Sequence, residues 1–304
     1  MGLANRSLIT VDDLSDGEIE ALFSLADEMS GSMDKQLGIC HGKIMASLFF
    51  EPSTRTRTSF EIAAKRLSAD IINFSASDSS LKKDESIIDT LRTILSMKVD
   101  LIIIRHSDSG TAAMLDRLVD VPVINAGDGK NQHPTQALLD LYTINKEFDK
   151  LKGLKVAVVG DFLDSRVARS DVGLFKKMGM DVTIVSPTMF LPEDYSEIKV
   201  RHCIDDVIED CDILYMLRMQ FERQSRKFYP SVMEYKRFLG LDMDRLRKMK
   251  PKSIVMHPGP VNRGIEITDE VMDVEGILAD RIVIEKQVTF GVAIRMAILY
   301  LILG

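Results

Sequence analysis

The residues best suited to bind an anion lie in the run Pro52-Ser-Thr-Arg-Thr-Arg-Thr-Ser-Phe60. This run follows an apolar segment and begins a segment with helical spacing. The first turn of a helix offers unpaired backbone N–H groups and the positive end of the helix dipole. Ser53, Thr54 and Thr56 add hydroxyl donors, and the planar guanidinium of Arg55 suits a phosphate. An ordinary N-cap is the alternative, but it explains one hydroxyl and not two arginines. We therefore predict a phosphate-type anion site.

Two further positions have side chains suited to the same ligand. Arg105 follows the apolar run Leu101–Ile104, so it is either a site residue or a strand end that reaches solvent. His133 begins a helical segment after a turn in which glycines permit positive φ. A histidine there can donate a hydrogen bond to a carbonyl oxygen, although a lone histidine is more often structural. The five histidines have no HExxH-type spacing, which argues against that metal motif. No other metal cluster and no cofactor is expected.

Strand and helix patterns alternate along the chain and must position these residues. Continuous apolar strands separated by helices indicate parallel sheets covered on both faces. The predicted strands are 43–50, 70–74, 100–105, 121–125, 155–159, 181–185, 211–217 and 253–256. The predicted helices are one that begins at the capping box Ser15-Asp-Gly-Glu18, then 54–67, 85–97, 111–118, 134–148, 166–178 and 292–303.

A polar stretch at residues 145–153 indicates a domain boundary. We expect an α/β fold of two doubly wound parallel-sheet domains, residues 1–134 and 151–287. A helix over 135–150 links them, and a C-terminal helix over 288–304 returns to the first domain. Doubly wound sheets bind ligands at the carboxyl ends of their strands, so the candidate residues should lie there.

Composition excludes several classes of function. With 304 residues, 45% apolar and 28% charged, the chain has the balance of a soluble globular protein. Its net charge of −7 argues against a nucleic-acid partner. Cys40, Cys203 and Cys211 form no CxxC pair, so free thiols are expected. The longest apolar run, 296–303, is too short to span a bilayer, and residues 1–10 lack signal-peptide features. No membrane partner and a cytoplasmic location are expected.

Four runs resemble the signatures of the aspartate/ornithine carbamoyltransferase family. They are Phe49-Phe-Glu-Pro-Ser-Thr-Arg-Thr-Arg57, Ile104-Arg-His106, Asn125-Ala-Gly-Asp-Gly129 and Gln132-His-Pro-Thr-Gln136. The resemblance extends over nearly the whole chain. It implies that the first domain binds carbamoyl phosphate through Ser53, Thr54, Arg55, Thr56, Arg105, His133 and Gln136. Within that set it implies catalytic roles for Arg55, Thr56, Arg105 and His133.

The resemblance also implies a homotrimer with shared active sites. Ser80 and Lys83, in the run Ser80-Leu-Lys-Lys-Asp-Glu85, would enter the site of a neighbouring subunit. Asp84 stands where family members usually have glycine, which alters the flexibility and charge expected of this loop. The sequence leaves open a regulatory chain or a dihydroorotase as a further partner.

The second substrate should be aspartate, bound by the second domain. Arg166 matches the family arginine that holds the α-carboxylate, and Arg218 and Gln220 match residues that recognise the side-chain carboxylate. An arginine fork discriminates a carboxylate from an ammonium group. At Leu163 and Asp164 many relatives have lysine and then histidine or tyrosine, so contacts that steady domain closure are expected to be weaker or replaced.

The run His257-Pro-Gly-Pro-Val-Asn-Arg-Gly264 resembles the bacterial aspartate type. The ornithine type has a His-Cys-Leu-Pro motif instead. Pro258 and Gly259 would offer backbone carbonyls to the amino and carbamoyl nitrogens. The activity implied is transfer of the carbamoyl group to L-aspartate, giving N-carbamoyl-L-aspartate and phosphate in pyrimidine biosynthesis.

Three alternatives stay open at this point. One is a carbamoyltransferase with another amino-acid acceptor. Another is a catalytically silent paralogue that only binds carbamoyl phosphate, although Arg55, Arg105, His133, Arg166 and Arg218 are all present. A nicotinamide dehydrogenase is disfavoured, because Phe162 and Leu163 occupy positions where a dinucleotide turn needs small residues.

Overall fold

The computed structural model describes residues 3–75, 87–191, 198–220 and 231–304. The chain divides into two compact units. The first contains Met1–Tyr142 and Thr289–Gly304, and the second contains Thr143–Val288. Each unit is built on one parallel sheet, with strand order β2-β1-β3-β4 in the first and β7-β6-β5-β8-β9 in the second. The predicted fold class is confirmed.

The sheet of the first unit alternates with helices along the sequence. Its strands are β1 Ile44–Phe49, β2 Asp70–Ser75, β3 Leu101–His106 and β4 Val123–Asp128. The helices are α1 Asp16–Ser30, α2 Thr54–Arg66, α3 Ile87–Ser96, α4 Thr111–Asp116 and α5 Pro134–Glu147, the last of which continues into the second unit. The capping box at Ser15 and Glu18 forms as predicted. Alternate residues of β1 and β3 pack against α3 and α4 in a buried cluster that includes Leu48, Leu91, Ile102 and Leu115.

The second unit repeats this arrangement. Its strands are β5 Lys155–Val159, β6 Asp181–Val185, β7 Lys199–Arg201, β8 Ile213–Met216 and β9 Ile254–Met256. Its helices are α6 Arg166–Lys177, α7 Val232–Leu239, α8 Met243–Lys248 and α9 Asp269–Met272. A hydrophobic cluster that includes Met216, Met219, Tyr235, Leu246 and Val255 fills one face of this sheet.

The C-terminal helix, α10, runs from Ile284 to Leu303. It begins eight residues before the predicted start at 292, because polar residues such as Lys286 and Gln287 interrupt the apolar pattern without interrupting the helix. Its second half packs within the first unit, where the backbone N–H of Asn5 donates to the carbonyl of Ile302 at 3.1 Å. By length and composition this helix could span a membrane, but 61% of its apolar window is buried inside the fold, as in the core helix of a globular protein.

Candidate functional site

The carboxyl ends of three neighbouring strands collect the predicted residues of the first unit. β1 is followed by residues 53–56, β3 ends at Arg105 and His106, and β4 leads to His133. The chain leaves β1 toward β2 on one side, and β3 lies on the other. This is a topological switch point, where doubly wound sheets bind ligands. Phe49 is the register partner of Arg105, so the strand end before the Ser-Thr-Arg-Thr motif is beside that arginine. We call these residues the first edge.

Residues Ser53 to Thr56 form the start of helix α2. Ser53 is the N-cap, with φ −159° and ψ 89°, and its side chain makes no capping hydrogen bond. Thr54 and Arg55 are exposed, whereas Thr56 is only 8% exposed. Ser53 is therefore the N-cap by position, but its side chain does not cap the helix. The 13-residue helix keeps its positive end at this point, as an anion site requires.

Contacts with Glu51 and with the backbone of Ala126 help to hold Arg105 at the first edge. Its Nε lies 3.3 Å from Oε2 of Glu51, and its Nη1 donates to the carbonyl of Ala126 at 3.1 Å. Only 13% of its side chain is exposed, so the guanidinium does not extend into solvent. Arg105 is therefore mostly buried and is not a strand end that reaches solvent, and Glu51 is a neighbour that orients it.

A buried carboxylate holds the turn that leads to His133. Asp128 is 1% exposed, and its Oδ1 accepts from Nδ2 of Asn125 at 2.8 Å and from the N–H of Gln132 at 3.1 Å. Its Oδ2 accepts from the N–H of Gly110 at 2.7 Å and from Nδ2 of Asn131 at 3.0 Å. Four donors from three segments therefore converge on one side chain, which fixes the turn before His133.

Gly129 meets a steric requirement in the same turn. Its φ is +49°, and a Cβ there would lie 2.4 Å from Oγ and 2.5 Å from N of Ser109. A side chain at this position would push the turn away from Ser109.

His133 lies at the start of α5 and is 3% exposed. Its carbonyl accepts from the N–H groups of Gln136 and Ala137. Burial, reinforced by the positive charges of Arg105 and Arg295, lowers the pKa of His133 well below its ordinary value. The imidazole is therefore neutral at pH 7, and a neutral ring retains one N–H donor.

Arg295 of α10 is a buried cation that the sequence analysis missed. It is 3% exposed, its guanidinium stacks 5.1 Å from the ring centroid of Phe60, and Nη2 lies 3.4 Å from Oγ1 of Thr135. Burial lowers its pKa to about 10, and the charge of Asp140 opposes that shift, so it stays protonated at neutral pH.

Asp140 also determines how Gln136 can contact a ligand. The Nε2 of Gln136 donates to both carboxylate oxygens of Asp140, at 3.2 and 3.0 Å. Since the amide nitrogen is engaged there, the amide oxygen is the acceptor that Gln136 can offer to an N–H group.

The second unit has an equivalent edge at the carboxyl ends of β5, β8 and β9. Residues 160–166 follow β5, 217–220 follow β8 and 257–259 follow β9. The N–H of Leu217 donates to the carbonyl of Val159 at 2.8 Å, which joins the first two segments. Gly160, at φ +127°, would place a Cβ 3.1 Å from that of Leu217, so the close approach requires glycine. We call these residues the second edge.

Arg166 begins α6 in a buried environment. Ser165 caps the helix through its Oγ, which accepts from the N–H of Ala168 at 3.1 Å, and Arg166 is 2% exposed. Asp161 is fully buried and accepts from the N–H of Asp164 at 3.1 Å. Leu163 is half-buried and Asp164 is buried, so these two departures from the family pattern lie inside the second edge.

The remaining predicted residues of the second edge are Arg218, Gln220, Pro258 and Gly259, and all four are half-buried. Arg218 and Gln220 are half-buried, while Met219 between them is 1% exposed and belongs to the core. Pro258 and Gly259 are half-buried, and the N–H of Gly259 donates to Nδ1 of His257 at 2.8 Å. The edge therefore presents Arg218 and Gln220 from a segment anchored by Met219.

Two predicted residues, Ser80 and Lys83, lie outside the described residues, as does Asp84. Sequence reasoning missed Glu51, Asp128, Asp140 and Arg295. The first two lie in or beside quoted motifs, but the others gave no local signal. Within the described ranges, no group of three or more His, Cys, Asp or Glu side chains could hold a metal ion.

Both parts of the chain match models of known families. Residues 6–146 match "Aspartate/ornithine carbamoyltransferase, carbamoyl-P binding domain", and residues 152–302 match "Aspartate/ornithine carbamoyltransferase, Asp/Orn binding domain". The two matches together cover most of the chain and divide it near the boundary of the two units.

Individual relatives agree with the family models. The chain is 44% identical to the aspartate carbamoyltransferase catalytic subunit of Pelotomaculum thermopropionicum, covering 100% of this chain and 98% of the relative. It is 47% identical to that of Thermobifida fusca, covering 98% and 96%. Among solved structures it resembles aspartate transcarbamoylase from Trypanosoma cruzi in complex with carbamoyl phosphate and aspartate. That match has a TM-score of 0.88 and 32% identity, and it covers 99% of this chain and 98% of the other.

Proposed function

Because this chain belongs to the aspartate/ornithine carbamoyltransferase family, we propose that it transfers the carbamoyl group of carbamoyl phosphate to the amino group of L-aspartate. The products are N-carbamoyl-L-aspartate and phosphate, a step of pyrimidine biosynthesis. The observation that carries the proposal is the first edge, where the start of α2, Arg105 and neutral His133 follow three adjacent parallel strands.

The first edge would bind carbamoyl phosphate. Ser53, Thr54, Arg55 and Thr56 offer hydroxyls, a guanidinium and the N–H groups of a helix start to the phosphate. Gln136 would accept from the carbamoyl NH2 through its amide oxygen, because its nitrogen is engaged by Asp140.

In the reaction, the aspartate amine attacks the carbamoyl carbon and forms a C–N bond. Negative charge then develops on the carbonyl oxygen, and hydrogen bonds from Thr56, Arg105 and His133 stabilise it. The C–O bond to phosphate breaks, phosphate leaves with the bonding electrons, and it accepts the proton that the amine loses. No covalent bond to the enzyme forms, so the protein contributes chiefly by positioning and preorganised charge.

The second edge would bind the acceptor. Arg166 would hold the α-carboxylate, and Arg218 with Gln220 would hold the side-chain carboxylate. Two arginines suit a dicarboxylate, and they disfavour an acceptor whose side chain ends in an ammonium group. The carbonyls of Pro258 and Gly259 would accept from the amino and carbamoyl nitrogens.

The active assembly in this proposal is a homotrimer in which a neighbouring subunit supplies Ser80 and Lys83. Exposed apolar side chains of the first unit, on α2, β2 and α3, support an interface: Ile62 is 40%, Ile72 43% and Ile88 37% exposed. Sedimentation should give three times the chain mass of 34.1 kDa. A larger species in cell extract would point to a regulatory chain or dihydroorotase partner. Three free thiols fit a reducing, cytoplasmic location.

The test is product formation by the purified chain from carbamoyl phosphate with L-aspartate. We expect N-carbamoyl-L-aspartate to form, and Arg55→Ala to abolish turnover while Arg57→Ala retains most of it. Arg57 is the matched control because it lies two residues further along α2 and interacts with Glu61 at 3.6 Å. Ornithine as the preferred acceptor would overturn the assignment of the second edge, and binding of carbamoyl phosphate without turnover would indicate a silent paralogue.

A further inference from the structure

Glu266 is a fully buried carboxylate that joins two segments of the second edge. Its Oε1 accepts from the N–H of Met219 at 2.8 Å and from Nδ2 of Asn262 at 2.7 Å. Its Oε2 accepts from the N–H of Asn262 at 2.6 Å. The Nδ2 of Asn262 also donates to the carbonyl of Met219 at 3.2 Å. Both backbone polar groups of Met219 are therefore tied to the Glu266–Asn262 pair.

The same carboxylate faces His257. Nε2 of His257 lies 3.6 Å from Oε2 of Glu266, and both side chains are fully buried. Nδ1 of His257 accepts from the N–H of Gly259, so the proton of a neutral ring is on Nε2, the nitrogen nearer Glu266. The N–H of His257 donates to Oε1 of Gln287 at 2.9 Å. Glu266 thus also contacts the segment that carries Pro258 and Gly259.

Met219 lies between the two side chains proposed to recognise the acceptor. Its side chain points into the core while Arg218 and Gln220 are half-buried. The directions of the Arg218 and Gln220 side chains depend on the backbone orientation at Met219, which lies between them. N–H groups of Met219 and Asn262 satisfy the buried carboxylate of Glu266, and burial of an unsatisfied carboxylate would be costly.

We propose that Glu266 is a positioning residue for the acceptor: by holding both Met219 and Asn262, it sets the directions of Arg218 and Gln220 toward the side-chain carboxylate of aspartate. This inference rests on the proposed function. Glu266 would act through these contacts and not on the substrate, and it contributes no proton to the reaction.

The test is Glu266→Gln, with Glu270→Gln as the matched control. Either orientation of the new amide turns its nitrogen toward at least one N–H of Asn262 or Met219, so at least one hydrogen bond is lost. Loss of one charge-assisted bond predicts a rise of about ten- to a hundredfold in the KM for aspartate. The inhibition constant of succinate, a dicarboxylate without the amino group, should rise by the same factor. Glu270 is exposed, so its variant should match wild type.

Further measurements distinguish a specific effect on aspartate binding from a general loss of folding and from a failure of the proposed function. The affinity of Glu266→Gln for carbamoyl phosphate should stay within about threefold of wild type, because the residues proposed to bind the phosphate lie on the first edge. A general loss of folding would lower kcat and both affinities together. If Glu266→Gln does not fold, Asn262→Ala should raise the aspartate KM in the same direction, because it removes the contact to the Met219 carbonyl. A wild-type KM and succinate constant in a folded Glu266→Gln enzyme would overturn the inference, whereas no aspartate turnover by wild type would overturn the proposed function.

Discussion

Replacing Asp128 by asparagine should loosen the turn before His133. The substitution keeps the shape of the side chain but puts an NH2 group against two of the four donors that now converge on the carboxylate. Two hydrogen bonds to a charged group are lost in either amide orientation, which predicts about 3–5 kcal/mol of destabilisation. The lower part of this range applies if water reaches Asn131 and Gln132, which are half-buried.

The assay is urea unfolding followed by circular dichroism, together with carbamoyl phosphate affinity. Asp108→Asn is the control, because that carboxylate is 79% exposed and should change stability by no more than about 0.5 kcal/mol. We expect Asp128→Asn to weaken carbamoyl phosphate binding as well, since the turn carries His133. A variant that unfolds within about 1 kcal/mol of wild type and binds normally would refute the role of Asp128 as the anchor of this turn.

The remaining predictions concern His133, the turn before it and helix α1. His133 should remain neutral from neutral pH into the mildly acid range, so kcat should show no inflection from this residue there. Since its folded pKa is lowered, only the unfolded chain takes up this proton as pH falls below about 6.5, and His133→Gln should lose less stability than wild type on acidification. Gly129→Ala should cost about 2–4 kcal/mol, because its Cβ would overlap Ser109 at a positive φ. Gly17→Ala, where nothing lies within 4 Å of the new Cβ in α1, should instead stabilise by about 0.5–1 kcal/mol in thermal unfolding.

Most strands could be predicted because each is a short apolar run between helical patterns. The predicted strand 155–159 coincides with β5, and 181–185 with β6. β7 was missed because it is a three-residue edge strand with alternating exposure, Lys199–Arg201, and gives no apolar run. The early start of α10 was missed because the helix was predicted from its apolar run. Polar residues in its first turns lie outside that run.

The chemistry of the first edge could be predicted only as a set of residue types. Ser53 has the sequence signature of an N-cap and occupies that position, and only the structure shows that its side chain makes no capping hydrogen bond. The pairing of Phe49 with Arg105 depends on strand order, which is a tertiary property. Arg295 is distant in sequence from His133, and its effect on the imidazole follows from packing that no local pattern encodes.

The most direct test of the central claim is a competition between acceptors. Purified protein would receive carbamoyl phosphate with equal concentrations of L-aspartate and L-ornithine, and the two carbamoylated products would be separated and quantified. We predict N-carbamoyl-L-aspartate as the dominant product, because the proposed pairing of Arg166 and Arg218 with the two carboxylates would favour a dicarboxylate. Carbamoylated ornithine as the main product would contradict it.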